Sequence, residues 1–112
     1  MKTQSGSVLV FGGDEVYPYP TRAEYDMRTE TPYRLAFAGR PRPDLFAIPG
    51  NHDWYDSLIA LSRTFCRPER GFATCRTRQT RSYFALKLPA NWWLFAFDLQ
   101  LGQELDEPQV QY

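Results

Sequence analysis

Apolar residues arrive along this chain in short runs, each cut off by glycine or proline. Ser7 to Phe11 (SVLVF) is followed by Gly12-Gly13, and Asp44 to Ile48 (DLFAI) by Pro49-Gly50. Neither run alternates with polar residues, so each predicts a buried strand rather than a half-exposed one. Between them, Thr21 is placed to cap a helix beginning at Arg22, with Glu24 three residues on as its capping-box partner. The helical pattern weakens towards Glu30, where Pro32 stops or restarts it, and Gly39 to Pro43 (GRPRP) reads as a rigid connector. Asp56 to Phe65 places Leu58, Ile59, Leu61 and Phe65 at helical spacing, with Asp56 as cap. Cys66 to Thr80 is polar, basic and patternless, and predicts a long loop. Arg81 to Leu88 and Trp92 to Leu99 predict two strands joined by a Pro89-Ala90-Asn91 turn. Asp106-Glu107-Pro108 has the chemistry of a helix start: a capping carboxylate, an acidic first turn and a proline where no donor is needed.

Strand, helix, strand, helix and hairpin together predict an α/β fold whose sheet is at least partly parallel. Such sheets place ligand sites at the carboxyl ends of their strands. Two loops meet that condition, one opening with Gly12-Gly13-Asp14 and the other with Gly50-Asn51-His52. The chain between them is long enough for one helical crossover, which would set Asp14 and Asn51 side by side at one sheet edge.

Length and charge narrow the picture. At 112 residues the chain is one small domain or a piece of a larger one. Thirteen basic and thirteen acidic residues balance, which removes the whole-molecule electrostatic case for nucleic acid or an anionic membrane. Arg76, Arg78 and Arg81 form a local basic run whose plainer reading is a solvated loop. Cys66 and Cys75 would pair in an oxidising compartment and need no explanation as free thiols in a reducing one. The N-terminal stretch has too short an apolar run for a leader, and no run approaches a membrane span, so a cytoplasmic protein is expected.

The chemistry concentrates in the two loops. Asp14, after two glycines, is by itself an ordinary turn residue. Asn51 offers a neutral oxygen to a hard cation. His52, the single histidine of the chain, is able to ligate a metal or donate a proton, and Asp53 is able to orient an imidazole. Tyr17, Trp54 and Tyr55 flank these residues and would either wall a substrate or pack around the loop bases.

Taken as a pair, GGDEVYP (Gly12 to Pro18) and PGNHD (Pro49 to Asp53) resemble the calcineurin-like metallophosphoesterases, whose pattern runs D-x-H, G-D, G-N-H-D/E, a histidine, then G-H-x-H. The tail, through RSYFALKLP, WWLFAFDLQL and DEPQ, is similar to a bacterial branch of that family. The resemblance implies a single partial domain over residues 1–112: a β-sandwich of the metallophosphoesterase type, flanked by helices, with an incomplete sheet. It implies that Asp14 bridges two divalent metal ions of the Mn, Fe, Zn or Mg class and that Asn51 ligates one of them. His52 would protonate the leaving oxygen, with Asp53 holding it by a hydrogen bond. The substrate would be a phosphate ester. These residue types suit the roles: cations about 3.5–4 Å apart activate a bridging water, and an imidazole titrates where a leaving alkoxide needs a proton.

The chain departs from the family pattern in lacking the upstream D-x-H, the later histidine and the G-H-x-H. Asp14 and Asn51 alone leave each metal short of ligands, so weak metal binding or none, and no useful turnover, is expected from these residues by themselves. The chain is therefore expected to be a central segment of a larger hydrolase, with strands left as open edges that promote aggregation. The alternative is a catalytically dead remnant that binds a partner or a single metal. A nucleic-acid module using the arginine run is a third, weaker reading. Flanking coding sequence with or without further histidines separates the first two.

Overall fold

A computed structural model describes residues 6–112, so part of the N-terminal stretch read for a leader lies outside the described residues. The chain is a mixed α/β protein with two small sheets. Strands β1 (Val8–Phe11), β2 (Asp44–Ala47) and β3 (Arg76–Thr77) form a parallel sheet in the order β1-β2-β3, with Phe11 opposite Ala47. Strands β4 (Phe84–Lys87) and β5 (Trp93–Ala96) form an antiparallel hairpin. Its turn, Pro89–Asn91, passes through left-handed backbone at Ala90 and Asn91.

The crossover from β1 to β2 is one helical run over residues 22–36. It opens with α1 (Arg22–Glu24), widens to a π-helical segment (Tyr25–Glu30) and returns to α2 (Thr31–Ala36). Thr21 caps it as expected, its hydroxyl accepting from the Glu24 amide. Pro32 does not end the helix. A proline ring in a regular helix collides with the carbonyl four residues back, and the wider π register before it, with the Thr31 amide reaching the Asp26 carbonyl, is the adjustment that lets helix continue on both sides.

Helix α3 (Ile59–Phe65) begins later than the pattern predicts, because His52–Asp56 form a separate 3₁₀ turn and Ser57 and Leu58 are left-handed. Asp56 nevertheless caps α3, its two carboxylate oxygens accepting from the Ile59 and Ala60 amides at 3.0 and 2.9 Å. The loop predicted from Cys66 to Thr80 holds β3, a correction with a plain cause. The Arg76 amide bonds the Pro43 carbonyl, and the Arg76 and Arg78 guanidiniums both reach the Asp44 carboxylate, at 2.8 and 3.3 Å. These long-range partners place a strand where no apolar pattern marks one. The basic run is thus largely spent on the protein itself, since Arg81 lies over the Tyr83 and Tyr112 rings, 5.7 Å from each centroid.

The core sits between one face of the parallel sheet and the helices: Phe11, Leu45 and Ala47 meet Tyr25, Leu61, Phe65 and Phe72. The expectation of a fully buried β1 is corrected here, for its alternate residues Val8 and Val10 remain 48% and 38% exposed. On that opposite face of β2, Phe46 packs on Phe84 of the hairpin at 4.9 Å between centroids. Both cysteines are free thiols, and burial pushes the Cys66 thiol up to about 11. Helix α4 (Glu107–Val110) starts at the capping carboxylate of Asp106, as read. No helix among the described residues is long and apolar enough to cross a membrane.

Candidate functional site

The carboxyl ends of β1 and β2 lie adjacent because the two strands pair directly, and the loops leaving them lock together through backbone amides. The His52 amide donates to Asp14 Oδ1 at 2.9 Å. The Asp14 amide donates to Asp53 Oδ2 at 2.9 Å, and the Gly50 amide donates to the same oxygen at 2.8 Å. The second Asp53 oxygen accepts a short hydrogen bond from the Tyr25 hydroxyl. Asp53 is 1% exposed and Tyr25 fully buried, so three donors from β1, β2 and the crossover helix converge on one carboxyl group away from water. Burial first, and then the bond to Asp53, raises the Tyr25 phenol far above its ordinary value, which keeps it a proton donor.

The glycines permit this approach. Gly13 is left-handed at φ 103°, and a Cβ there would stand 2.5 Å from the Gly50 nitrogen. A Cβ on Gly50 would fall inside the Asp14 carboxylate. We expect Gly50→Ala to lower stability by about 2–4 kcal/mol, in the range of forced strain at an over-packed position, with the loss read in urea unfolding. A change within experimental error would mean the two loops separate freely. Asp14 itself adopts φ 54°, in the left-handed region that aspartate tolerates better than most residues.

The ends of the strands are held by residues that no motif marks. Gln79, buried, imitates a neighbouring strand: its side chain accepts from the Ala47 amide at 2.6 Å and donates to the Ala47 carbonyl at 2.8 Å. Gln109 makes the same two-way pairing with Asp98, 2.8 Å in each direction. A glutamine in a polar stretch carries no periodic signal, so neither was visible in the pattern.

The sequence-derived site residues divide into three groups. Asp14, Asn51 and His52 are brought to one edge, with Asp14 and Asn51 both exposed and the Asn51 side chain making no capping bond to the turn that follows it. Asp53 belongs to the same junction but not in the role expected of it. Its oxygens are occupied by Gly50, Asp14 and Tyr25, and the His52 Nδ1 instead lies 3.0 Å from the Pro18 carbonyl. A carbonyl only accepts, so Nδ1–H donates and Nε2 is the nitrogen free for chemistry. The physical reason is placement: the turn over His52–Asp56 buries Asp53 under the loops, where the Gly50 and Asp14 amides and the Tyr25 hydroxyl take its oxygens.

Of the three flanking aromatics, Tyr17 and Tyr55 do stand on either side of the imidazole, with centroids 4.4 and 4.7 Å away. Trp54 is turned away, its indole N–H donating to Asp98 Oδ1 at 3.2 Å. Asp98 also accepts from the Ser82 hydroxyl, and burial raises its carboxyl above the usual range. Two tyrosines therefore flank the imidazole, and Trp54 ties the loop to the segment that follows β5. Glu15, half-buried beside Asp53, is likewise raised, by burial first and by the neighbouring carboxyl second.

As a cation site, the edge offers the Asp14 carboxylate, one of whose oxygens already accepts from His52, and the Asn51 amide. No group of three or more His, Cys, Asp or Glu side chains able to hold a metal ion occurs among the described residues. These donors fit one cation completed by water and phosphate oxygens, and they do not fit a two-metal centre. No model of a known protein family matches the chain, and no curated protein and no solved structure matches it.

Proposed function

We propose that the chain carries the proton-donor side of a metal-dependent phosphoesterase site, similar to that of the calcineurin-like metallophosphoesterases. The three-stranded sheet and the hairpin packed on its other face would then be part of that family's sandwich. One observation carries the reading: the loops after two adjacent parallel strands are locked so that an exposed carboxylate, an exposed amide oxygen and an imidazole with a free Nε2 share one edge. A divalent cation held there would neutralise phosphoryl oxygens. Doubly protonated His52 would give its Nε2 proton to the leaving oxygen and keep its Nδ1–H on the Pro18 carbonyl, which would hold the ring in that orientation, and Asp53 with Tyr25 would hold the two loops at their separation.

The alternative, a catalytically inactive module binding a partner or a single metal, draws on the small donor set. The two separate in one assay of the protein: alcohol release from aryl and alkyl phosphate mono- and diesters, with manganese and then with chelator. The enzymatic reading expects chelator-sensitive turnover that Asp14→Asn lowers at least about a hundredfold, the scale of losing a group that stabilises transition-state charge. Turnover absent under all metals, with manganese still bound, would leave the inactive module.

A further inference from the structure

The imidazole is oriented by a carbonyl, and a carbonyl in an irregular loop has no partner in a sheet or helix to aim it. Pro18 lies in the irregular segment that leaves β1, and its oxygen takes His52 Nδ1 at 3.0 Å. Two side chains of the π-helical stretch of the crossover, Tyr25–Glu30, reach this segment. The Thr29 hydroxyl donates to the Glu15 carbonyl at 2.9 Å, and Arg28 Nη1 donates to the Tyr17 carbonyl at 2.8 Å. The second of these carbonyls immediately precedes Pro18. Tyr17, held at its backbone in this way, lays its ring against the imidazole, with centroids 4.4 Å apart.

Neither bond is local to the helix. A helical threonine is able to bond the carbonyl four residues back, as Thr64 does with Ala60 at 2.7 Å. Thr29, 3% exposed, reaches 14 positions back to the loop instead. Arg28 is ion-paired through Nε with Glu24, one turn earlier, which sets the guanidinium and leaves Nη1 for Tyr17. Tyr25, four residues before Thr29, bonds Asp53 under the other loop. One helical segment therefore holds the loop that carries His52 and the loop that orients it.

Resting on the phosphoesterase reading for its catalytic consequence, we propose that Arg28 and Thr29 are positioning residues for His52: they aim the Pro18 carbonyl, which keeps a proton on Nδ1 and leaves Nε2 free for the leaving oxygen. In a neutral imidazole, the hydrogen bond made by one ring nitrogen decides which nitrogen carries the proton. A histidine ring free in water carries it mostly on Nε2. The Nδ1–H tautomer is therefore the signature of a carbonyl held in place.

The experiment is nitrogen-15 NMR of the imidazole at a pH where the ring is neutral, with the tautomer read from long-range proton couplings. His52 is the single histidine, so its signals identify themselves. The unsubstituted protein should show mostly Nδ1–H. Arg28→Met and Thr29→Val should each move the tautomer ratio towards Nε2–H by about threefold or more, the scale of one lost hydrogen bond. Thr29→Ser, which keeps the hydroxyl, should hold the original ratio. A role confined to stability would lower the unfolding midpoint and leave the tautomer of the folded molecule where it was. Thr29 is buried and Arg28 exposed, so if Thr29→Val does not fold, Arg28→Met decides. An Nε2–H ring in the unsubstituted protein, an unchanged ratio in either folded variant, or a shifted one in Thr29→Ser would overturn the proposal. Hydrolysis is measured separately. A tautomer that follows both substitutions in a protein without chelator-sensitive hydrolysis removes the phosphoesterase reading and leaves the brace. Hydrolysis with a tautomer indifferent to them removes the brace and leaves the phosphoesterase reading.

Discussion

Asp53→Ala is expected to destabilise the protein by about 3–5 kcal/mol, because it strips the acceptor from a buried hydroxyl and two loop amides at once. Domains of this kind are held by about 5–15 kcal/mol in total, so such a loss brings the chain close to unfolding under native conditions. Urea denaturation measures it. Tyr25→Phe removes a single bond and should cost about 1–2 kcal/mol. The double variant should cost less than the two losses added together, since the hydroxyl and the carboxyl share one interaction. A loss below about 1 kcal/mol for Asp53→Ala would mean that water replaces the carboxyl under the loops, contrary to its burial.

The second large effect concerns the rate. If the phosphoesterase reading holds, His52→Ala should lower kcat by about 10²–10⁴, the usual contribution of a positioned acid, while leaving manganese binding in place. The loss should depend on the leaving group: severe for an alkyl ester, whose alkoxide needs a proton, and mild for a nitrophenyl ester, whose phenolate departs without one. Equal losses on both esters would assign His52 to holding the phosphoryl group instead. Unchanged turnover would remove it from the mechanism.

What could be read in advance and what could not follow from the range of the forces involved. β1 and β2 are announced by uninterrupted apolar residues ending at glycines, and the caps Thr21, Asp56 and Asp106 by local hydrogen-bonding chemistry within three or four residues. Adjacency of the two loops also followed from local facts, since two parallel strands separated by one helix usually pair. Three of the departures involve distant partners. β3 is a strand because Pro43 and Asp44 bond to it from thirty-odd positions away. Trp54 turns from the site because Asp98 is 44 positions along the chain. The imidazole is held by Pro18, 34 positions back, through a carbonyl whose direction no side-chain pattern records. Half-exposure of β1 escaped notice for a different reason: Val8 and Val10 are as apolar as core residues, and only the finished sheet shows which face is covered.

The convergence on Asp53 bears finally on when the site exists. Its bonds to Asp14 and Tyr25 span 39 and 28 positions, so they form only after the parallel pair has closed and the crossover helix has docked. The edge is therefore not a loop that assembles and dissolves by itself. Its amides at Gly50 and Asp14 should exchange with solvent deuterium only through the slowest opening of the molecule, at the pace of the β1–β2 strand amides. A site built this way has no half-formed version: while the chain is folded it is set, and whatever loosens it releases the whole sheet.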